Sequence, residues 1–447
     1  MNDSRRRRFL RPALLVAACA AVGLGFAARA QQKTEEGVFP DDEMSADLAK
    51  AVAEAEADGG VPAVPAQVEE VPAAAANAVV QHLAHLQGLA LWKNAKLKGG
   101  VYVASTAEGN EARLTVDPNL QAQMVKLLKL YKPVGAAIVA LDPKTGKVLA
   151  LAEYGEGQAT KPLYPAASVF KIITGAALIE KGVSPDDETC FHGGMHGIVG
   201  KLLQDKPRLD RRCLSLSMAL AKSSNVVFAK MAVKHLDADD LRKEAERFLF
   251  NRPIFDQPME QSSADIPDSG LDFAKSAAGF GQVKLSPMHA AMIAAAVGNG
   301  GVAEEPSMID EVDGEDLPPT GSIRLLNAET AAKLRDMMKL TISQGTAASS
   351  FVERHRKILG DITVAGKTGS LSTHTRGPFK DYSWFVGFAP ADDPRIAVAA
   401  VVVNGLKWRV HAPFIAREAL KAYLLGGPLG QPPVARARHV RRRKKHS

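Results

Sequence analysis

The chain has 447 residues, of which 46% are hydrophobic, and its formal net charge is +7. This length and composition predict a folded protein with one large domain and an appendage, and they exclude a wholly disordered chain. The first 30 residues carry six Arg and one Asp, and residues 434–447 carry seven Lys or Arg and no acid, which leaves the body with a net charge of −5. Basicity therefore belongs to the two ends and does not indicate a nucleic-acid partner.

The N-terminus has the pattern of an export signal. Arg5–Arg8 and Arg11 form a positive region, residues 13–28 are small and apolar, and Ala28-Arg29-Ala30 is typical of a cleavage site. We interpret residues 1–30 as a signal peptide or a signal anchor. The chain is therefore expected in the periplasm or at the outer face of the cytoplasmic membrane.

Three segments follow before the tail. Residues 31–76 are rich in Ala, Pro and acids, which predicts a disordered spacer, and residues 77–111 form a small N-terminal segment with a short helix and a strand. The main domain is predicted over residues 112–425. It begins with a hairpin, "AAIVALDPKTGKVLALAEY", in which Pro143 and Gly146 supply the turn.

Helical patterns fill the middle of the main domain, such as "VFKIITGAALIEKG" and "SPMHAAMIAAAVGNGG". Strands return in "DITVAGKTGS", "DYSWFVGFAP" and "RIAVAAVVVNG", and "APFIAREALKAYLL" is a final helix. This order predicts an α/β protein of the α+β type. Its antiparallel sheet has about five strands from both ends of the domain, flanked by helices and by a helical subdomain.

Two cysteines lie in the exported part of the chain. Export favours a disulfide between Cys190 and Cys213. A metal site is the alternative, because His192 and His196 lie between the cysteines, although the spacing matches no standard zinc pattern.

The tripeptide Lys-Thr-Gly occurs at residues 367–369 and again at residues 144–146. A phosphate-binding loop does not fit the first copy, since five residues separate Gly360 from Gly366 where that loop has four, and they are strand formers. The second copy is best explained as a hairpin turn. No nucleotide is therefore expected.

Two further motifs accompany Lys367. Ser168 and Lys171 form the one SxxK of the chain at the start of a helical pattern, so that the amine lies one turn from the hydroxyl. Apolar neighbours can lower the pKa of such a lysine enough for it to act as a base. Ser223 and Asn225 follow in an SxN turn between two helical runs. The order SxxK, SxN, KTG indicates a serine acyl-transfer site.

With these motifs the chain resembles the penicillin-binding transpeptidase family. Blocks such as "ARLTVDPNLQ", "YPAASVFK", "ALAKSSNVVFAKMA", "GFGQVKLSPMHAAMIAAAVGNGG", "AGKTGS" and "WFVGFAP" carry the likeness over residues 112–425. The resemblance implies a penicillin-binding/β-lactamase-like fold. It also implies a serine D,D-transpeptidase that cross-links peptidoglycan stem peptides ending in D-Ala-D-Ala and is inhibited by β-lactams.

The resemblance also implies a role for each residue of the motifs. Ser168 would be the nucleophile, Lys171 its base, Ser223 a proton relay to the leaving D-Ala, and Asn225 a support for Lys171 and the substrate backbone. The strand residues Lys367, Thr368, Gly369 and Ser370 would bind the substrate, Lys367 through its carboxylate. The amides of Ser168 and Ser370 would form the oxyanion hole, without a metal or organic cofactor.

The sequence departs from the family in two ways. Ala167 stands where monofunctional members usually have Gly, and residues 31–111 are too few and too rich in Ala and Pro for the usual pedestal domain. The chain is thus class B-like without a full pedestal. A D,D-carboxypeptidase, a class D-like β-lactamase with a carboxylated Lys171, and a non-catalytic sensor or wall-binding protein are the alternatives.

The C-terminal tail, residues 426–447, contains the basic run "RARHVRRRKKHS". In an exported protein such a run is suited to an acidic envelope polymer or an anionic lipid surface. A solvated tail without a fixed partner is the alternative interpretation.

Overall fold

The structure, a computed structural model, describes residues 87–373 and 378–426. The predicted signal, the spacer and all of the tail after Gly426 lie outside these residues. Residues 87–92 are helical, and the strands that follow are β1 (Lys96–Lys98), β2 (Val101–Ser105), β3 (Glu111–Leu114), β4 (Gly135–Leu141), β5 (Val148–Gly155), β6 (Tyr164–Pro165), β7 (Glu188–Phe191), β8 (Arg212–Ser215), β9 (Ser263–Asp265), β10 (Gln282–Leu285), β11 (Val302–Glu304), β12 (Ile309–Val312), β13 (Glu315–Asp316), β14 (Ser322–Arg324), β15 (Val352–Glu353), β16 (Arg356–Lys357), β17 (Ala365–Thr373), β18 (Lys380–Ala389) and β19 (Ile396–Asn404).

Helices alternate with these strands. In chain order they are α1 (Pro118–Tyr131), the 3-10 turn η1 (Ala167–Phe170), α2 (Lys171–Glu180), α3 (Gly200–Leu203), α4 (Leu216–Ala221), α5 (Asn225–His235), α6 (Ala238–Arg247), α7 (Gly270–Ala277), α8 (Pro287–Gly298), α9 (Ala328–Ser343), α10 (Ala348–Phe351) and α11 (Ala412–Leu425). Within the described part of the chain, none of them is long and apolar enough to cross a membrane.

The central sheet has five antiparallel strands in the order β17-β18-β19-β4-β5. Its strands come from both ends of the domain, as the sequence predicts, and β4 and β5 form the predicted hairpin. The three middle strands are almost entirely buried because both faces of the sheet are covered. β17, which carries Lys367, is an edge strand.

Each face of the central sheet packs against helices. The amphipathic helices α1 and α11 cover one face, where Tyr131 and Phe414 meet edge to face. The other face packs on α8, which is apolar all round and buried over eleven of its twelve residues, as expected for a helix inside a domain. The helices from α2 to α9 share one hydrophobic core on this side of the sheet and form the helical subdomain.

A second five-stranded sheet, in the order β1-β2-β3-β12-β13, joins the N-terminal segment to the main domain. Its strand β3 begins at Glu111, so the predicted boundary between residues 111 and 112 falls within this strand. Ile309 pairs with Leu114, a contact between residues that are far apart in sequence. The sequence pattern predicts one strand here, and the rest of the sheet was not predicted.

The strand that carries Lys367 begins later than the pattern "DITVAGKTGS" suggests. Ala365 is its first residue and pairs with Phe388, and the preceding β-branched residues lie in a loop. The partner strand ends at Ala389 and is followed by Pro390, which has no N–H to continue the ladder. Val364 is instead buried in the layer beneath α11, so its hydrophobicity serves packing.

Candidate active site

Ser168 lies on the 3-10 turn η1, immediately before α2 begins at Lys171. Ala167 holds a left-handed conformation with φ of +48° to make this turn, at the position where the family usually has Gly. A Cβ on Gly279 would lie 1.9 Å from the carbonyl oxygen of Ala167, so the facing chain must be glycine to come this close. The turn that carries Ser168 is therefore packed closely against the chain at Gly279.

Lys171 is fully buried and its amine has three hydrogen-bond partners. Its Nζ lies 2.7 Å from Ser168 Oγ, 2.7 Å from Asn225 Oδ1 and 2.7 Å from the carbonyl oxygen of Ala278. Two of these partners are carbonyl oxygens, which only accept. A neutral amine can satisfy all three by donating its two hydrogens to the carbonyls and accepting the Ser168 hydroxyl with its lone pair.

The surroundings of Lys171 favour this neutral form. The amine lies near the rings of Phe228 and Phe280, and burial lowers the pKa of Lys171 well below its usual value of 10.5. The positive charge of Lys367 lowers the pKa further. Desolvation and a like charge thus act in the same direction, which suits a general base.

Ser223 lies on the tight turn between α4 and α5, and Asn225 is the first residue of α5. Ser223 has a left-handed backbone with φ of +54°, and Ser224 caps α5 by accepting from the amide of Val227. The helix is therefore capped by Ser224, the middle residue of the SxN motif. This leaves the outer two side chains free to face the site.

Lys367 is fully buried on the edge strand and donates to Ser223 Oγ at 2.9 Å and to the carbonyl oxygen of Thr368 at 2.6 Å. Burial lowers its pKa to about 7. The site thus contains two serine–lysine pairs, Ser168 with Lys171 and Ser223 with Lys367. The second lysine is poised to be charged or neutral near physiological pH.

The remaining strand residues approach the nucleophile turn. Thr368 is buried and shares a hydrogen bond with the hydroxyl of Thr346, whereas Ser370 is exposed at the mouth of the site. A Cβ on Gly369 would lie 3.3 Å from Val169 Cγ2 and 3.2 Å from Trp384 Cβ, so glycine lets the strand lie against η1. All the predicted site residues are therefore gathered between η1, the turn after α4 and β17.

Several groups of the site were missed by the sequence analysis. The carbonyl of Ala278 accepts from Lys171, the carbonyl of His196 accepts from Asn225 Nδ2 at 2.6 Å, and Thr346 supports Thr368. Two of these contacts are made by backbone oxygens, which every residue possesses. No residue type could have signalled them.

Cys190 and Cys213 face each other across the β7–β8 hairpin and are joined by a disulfide. Their sulfurs are therefore not available as thiolate ligands. His192 bonds to Asp210, and the backbone carbonyl of His196 accepts from Asn225.

Comparison with known proteins agrees with this geometry. The penicillin binding protein transpeptidase domain matches residues 136–421. The chain belongs to this family. The D,D-transpeptidase PbpA of Mycobacterium tuberculosis is 28% identical over 72% of this chain and 74% of that protein. Stage V sporulation protein D of Bacillus subtilis is 26% identical over 66% of this chain and 50% of that protein.

Solved structures of the family share the fold. Penicillin-binding protein A of M. tuberculosis, as an imipenem acyl-enzyme, aligns with a TM-score of 0.58 and 26% identity over 71% of this chain and 80% of that one. A D,D-transpeptidase domain from Eggerthella lenta aligns with a TM-score of 0.60 and 26% identity over 75% and 90% of the two chains. The predicted family and the penicillin-binding fold are thereby confirmed.

Proposed function

We propose that this protein is a peptidoglycan D,D-transpeptidase that works through an acyl-enzyme on Ser168. The observation that carries the proposal is the position of Lys171 Nζ, which lies 2.7 Å from Ser168 Oγ in a buried environment that lowers its pKa. A neutral amine at hydrogen-bond distance is what a serine nucleophile needs from its base. The rest of the site is arranged around this pair.

Acylation follows from these contacts. Ser168 Oγ attacks the carbonyl carbon between the two D-Ala residues of a stem peptide, and its proton moves to Lys171 Nζ. The amides of Ser168 and Ser370 hold the negative oxygen of the tetrahedral intermediate, a role that depends on preorganised donors. The C–N bond then breaks as Ser223 passes a proton to the departing amine of D-Ala, and the proton held by Lys171 replaces it on Ser223, so that Lys171 is neutral again.

In the second step, transfer of the acyl group to an acceptor, the proton moves in the opposite direction, toward Ser168. The amine of a second stem peptide attacks the ester carbonyl and gives up a proton through Lys171, and Ser168 Oγ leaves as a hydroxyl. A peptide bond replaces the ester, so the energy of the original amide bond is conserved in the cross-link. Water as the acceptor would give a D,D-carboxypeptidase with the same residues.

Substrate recognition is assigned to β17. Protonated Lys367 supplies positive potential for the terminal carboxylate, and the hydroxyls of Thr368 and Ser370 donate to it. The carboxylate of a β-lactam occupies the same place, and opening of its ring acylates Ser168 without releasing a leaving group. This explains why the protein is expected to be trapped by penicillins.

The contacts of Lys171 argue against a class D-like β-lactamase. Carboxylation would leave its nitrogen with one hydrogen, whereas Asn225 Oδ1 and the carbonyl of Ala278 each accept one now. One buried carbonyl would lose its donor, which costs about 1–3 kcal/mol. A slowly hydrolysed acyl-enzyme is therefore expected.

Labelling with a fluorescent penicillin tests the nucleophile. The purified full-length protein should be labelled covalently and stay labelled for many minutes, and Ser168→Ala should abolish the label. Ser217→Ala is the matched control, because Ser217 is also buried but bonds to the backbone of Pro185 outside the site. Labelling that survives Ser168→Ala would contradict the proposal, and label lost within seconds would favour the β-lactamase.

Product analysis tests the acceptor. A pentapeptide ending in D-Ala-D-Ala, incubated with an excess of an amine acceptor, should yield a cross-linked product together with free D-Ala. Release of D-Ala with a tetrapeptide as the single product would instead identify a carboxypeptidase. Penicillin binding without turnover of any peptide would favour a sensor.

The location of this chemistry is part of the proposal. Enzymes of this family act outside the membrane, and the signal at residues 1–30 is suited to export into the periplasm. The basic tail would then contact an acidic envelope polymer or anionic lipid. Deletion of residues 434–447 should weaken envelope association at low salt, and unchanged association would remove this part of the proposal.

A further inference from the structure

The segment between Cys190 and Cys213 lies between the two motif-bearing regions of the helical subdomain. It follows α2, which begins at Lys171, and it leads through β8 and α4 to Ser223. The disulfide and the pairing of β7 with β8 close it at its base. The closed segment is therefore joined to both motif-bearing regions by short connections.

The closed segment fixes Asn225 directly. The carbonyl oxygen of Met195 accepts from the Asn225 backbone amide at 2.8 Å, and the carbonyl oxygen of His196 accepts from Nδ2 at 2.6 Å. Since Nδ2 must face a carbonyl, Oδ1 is turned toward Lys171, where it accepts at 2.7 Å. A flipped amide would present hydrogens to Lys171 and an oxygen to His196, and both contacts would be lost.

Asp210 is the centre of the contacts that hold the segment itself. Its Oδ1 lies 2.5 Å from His192 Nδ1, and its Oδ2 accepts from the backbone amide of Lys206 at 2.8 Å and from Lys230 Nζ at 3.3 Å. These donors, the Lys206 amide foremost, lower the pKa of Asp210 to about 2. The carboxylate is therefore ionised at every pH at which the enzyme would work.

Lys230 connects this centre to the helix of the catalytic asparagine. It lies on α5, five residues after Asn225, and its side chain is only 4% exposed. Besides Asp210 it bonds to the carbonyl oxygen of Cys190 at 2.8 Å and to Asp205 at 2.8 Å. Asp205 is 83% exposed, so water screens that pair, whereas Asp210 is almost as buried as Lys230.

We propose that Asp210 and Lys230 are positioning residues for acyl transfer. They hold the closed segment against α5, so that the carbonyls of Met195 and His196 keep the Asn225 amide oriented toward Lys171. The inference rests on the proposed roles of Lys171 and Asn225. It predicts that a pair of charges outside the substrate cleft controls the rate of the chemical step and leaves substrate binding unchanged.

Two matched variants test the proposal, Asp210→Asn and Asp205→Asn, each of which removes one carboxylate partner of Lys230. Stopped-flow labelling with a fluorescent penicillin gives the maximal acylation rate and the half-saturating concentration separately. Asp210→Asn should slow the maximal rate about tenfold or more, as misplaced catalytic groups do, with little change in half-saturation. Asp205→Asn should change neither by more than about twofold, as expected for an exposed pair.

Lys230→Met tests the same link from the helix side, because the long apolar side chain keeps the packing and removes the charge. It should also slow the maximal rate without changing half-saturation. Equal rates for Asp210→Asn and wild type, or equal slowing by Asp205→Asn, would overturn the proposal. So would a loss of folded protein in both Asp210→Asn and Lys230→Met, since the pair would then serve stability alone.

A purely structural role has a different signature. It would lower the fraction of molecules that become labelled at completion, while the molecules that remain folded would react at the normal rate, and this result would also overturn the proposal. Failure of the proposed function is distinguishable from all of these outcomes. In that case the wild-type protein itself would not be acylated.

Discussion

The tripeptide Lys-Thr-Gly occurs twice, and its two copies have opposite environments. Lys144 lies at the tip of the β4–β5 hairpin, where its side chain is 55% exposed and its amine is 2.5 Å from the exposed Asp393. Lys367 lies on β17, is fully buried and bonds to Ser223 Oγ and a backbone carbonyl. One lysine is a surface cation, whereas burial lowers the pKa of the other to about 7.

The two glycines differ in the same way. Gly146 has φ of +72° and meets the carbonyl oxygen of Glu305, where a Cβ would lie at 2.2 Å, so it is required by the turn. Gly369 lets β17 lie closely against Val169 on the turn that carries Ser168. The comparison teaches that the motif acquires its chemistry from burial beside Ser168 and Ser223, and matched substitutions in the two copies can test this.

Substitution of the two lysines should give the largest difference in acylation rate. Lys367→Met should lower the second-order rate of acylation by about a hundredfold to a thousandfold, since it removes the charge that faces the substrate carboxylate. Lys144→Met should change this rate by less than about twofold, because an exposed ion pair contributes little. Labelling kinetics with a fluorescent penicillin measure both. Comparable losses in the two variants would remove the distinction between the copies.

The pH dependence should reflect the two buried lysines. Acylation requires Lys367 protonated and Lys171 neutral, so the second-order rate should fall as pH rises through about 7, by up to about tenfold per unit. A bound carboxylate stabilises the charged form, so the alkaline limb at saturation should lie at higher pH. In Lys367→Met the acidic limb should move upward, because the like charge that lowers the pKa of Lys171 is gone. A pH-independent rate between 6 and 9 would contradict these assignments.

Stability should respond to Lys367 in the opposite direction to activity. The pKa of Lys367 is about 7 in the folded protein against an ordinary value of 10.5, so the unfolded chain binds more protons between these values. The free energy of unfolding should therefore rise with pH in this window, and below it the cost of the buried charge is fully present. Lys367→Met should raise the free energy of unfolding at neutral pH by about 1–2 kcal/mol. Denaturant titration at pH 7 and 9 checks this, with Lys144→Met as the control.

Substitution of the two glycines should affect different properties, the acylation rate at Gly369 and the stability at Gly146. Gly369→Ala should slow acylation about tenfold, because the methyl group pushes β17 away from the nucleophile turn. Gly146→Ala should instead lower the free energy of unfolding by about 2 kcal/mol or more, since it strains a left-handed turn, and leave the reaction of folded molecules unchanged. Melting curves and labelling rates of both variants measure the pattern. Equal effects of the two variants on the melting curve and on the labelling rate would contradict this expectation.

Substitution of the two threonines should give the smallest difference in acylation rate. Thr368→Val removes a buried hydroxyl that bonds to Thr346 and faces the proposed carboxylate site, and we expect acylation to slow about threefold to tenfold. Thr145→Val removes an exposed hydroxyl that accepts from the amide of Lys147, and its effect should be within about twofold. Labelling kinetics with a fluorescent penicillin measure both effects. A larger effect of Thr145→Val would reverse the ranking of the copies.

Local patterns predicted the elements that depend on neighbours in sequence. The helix that begins at Lys171 keeps Ser168 within one turn of it, and the β4–β5 hairpin closes through Pro143 and Gly146. The second sheet was missed because β3 pairs with a strand almost 200 residues later, Leu114 with Ile309. Such a pairing leaves no local pattern, since each strand is short and half exposed.

The sequence by itself determined the set of reactive side chains and the family, because SxxK, SxN and KTG are short motifs whose geometry is fixed over a turn or a strand. Only the tertiary structure decided how deeply Lys367 is buried and which carbonyls face Lys171 and Asn225. It also brought Asp210 to Lys230. The physical reason is that burial, desolvation and backbone acceptors come from segments distant in sequence, and these set the pKa of the lysine. The motif specifies only the residue type at that position.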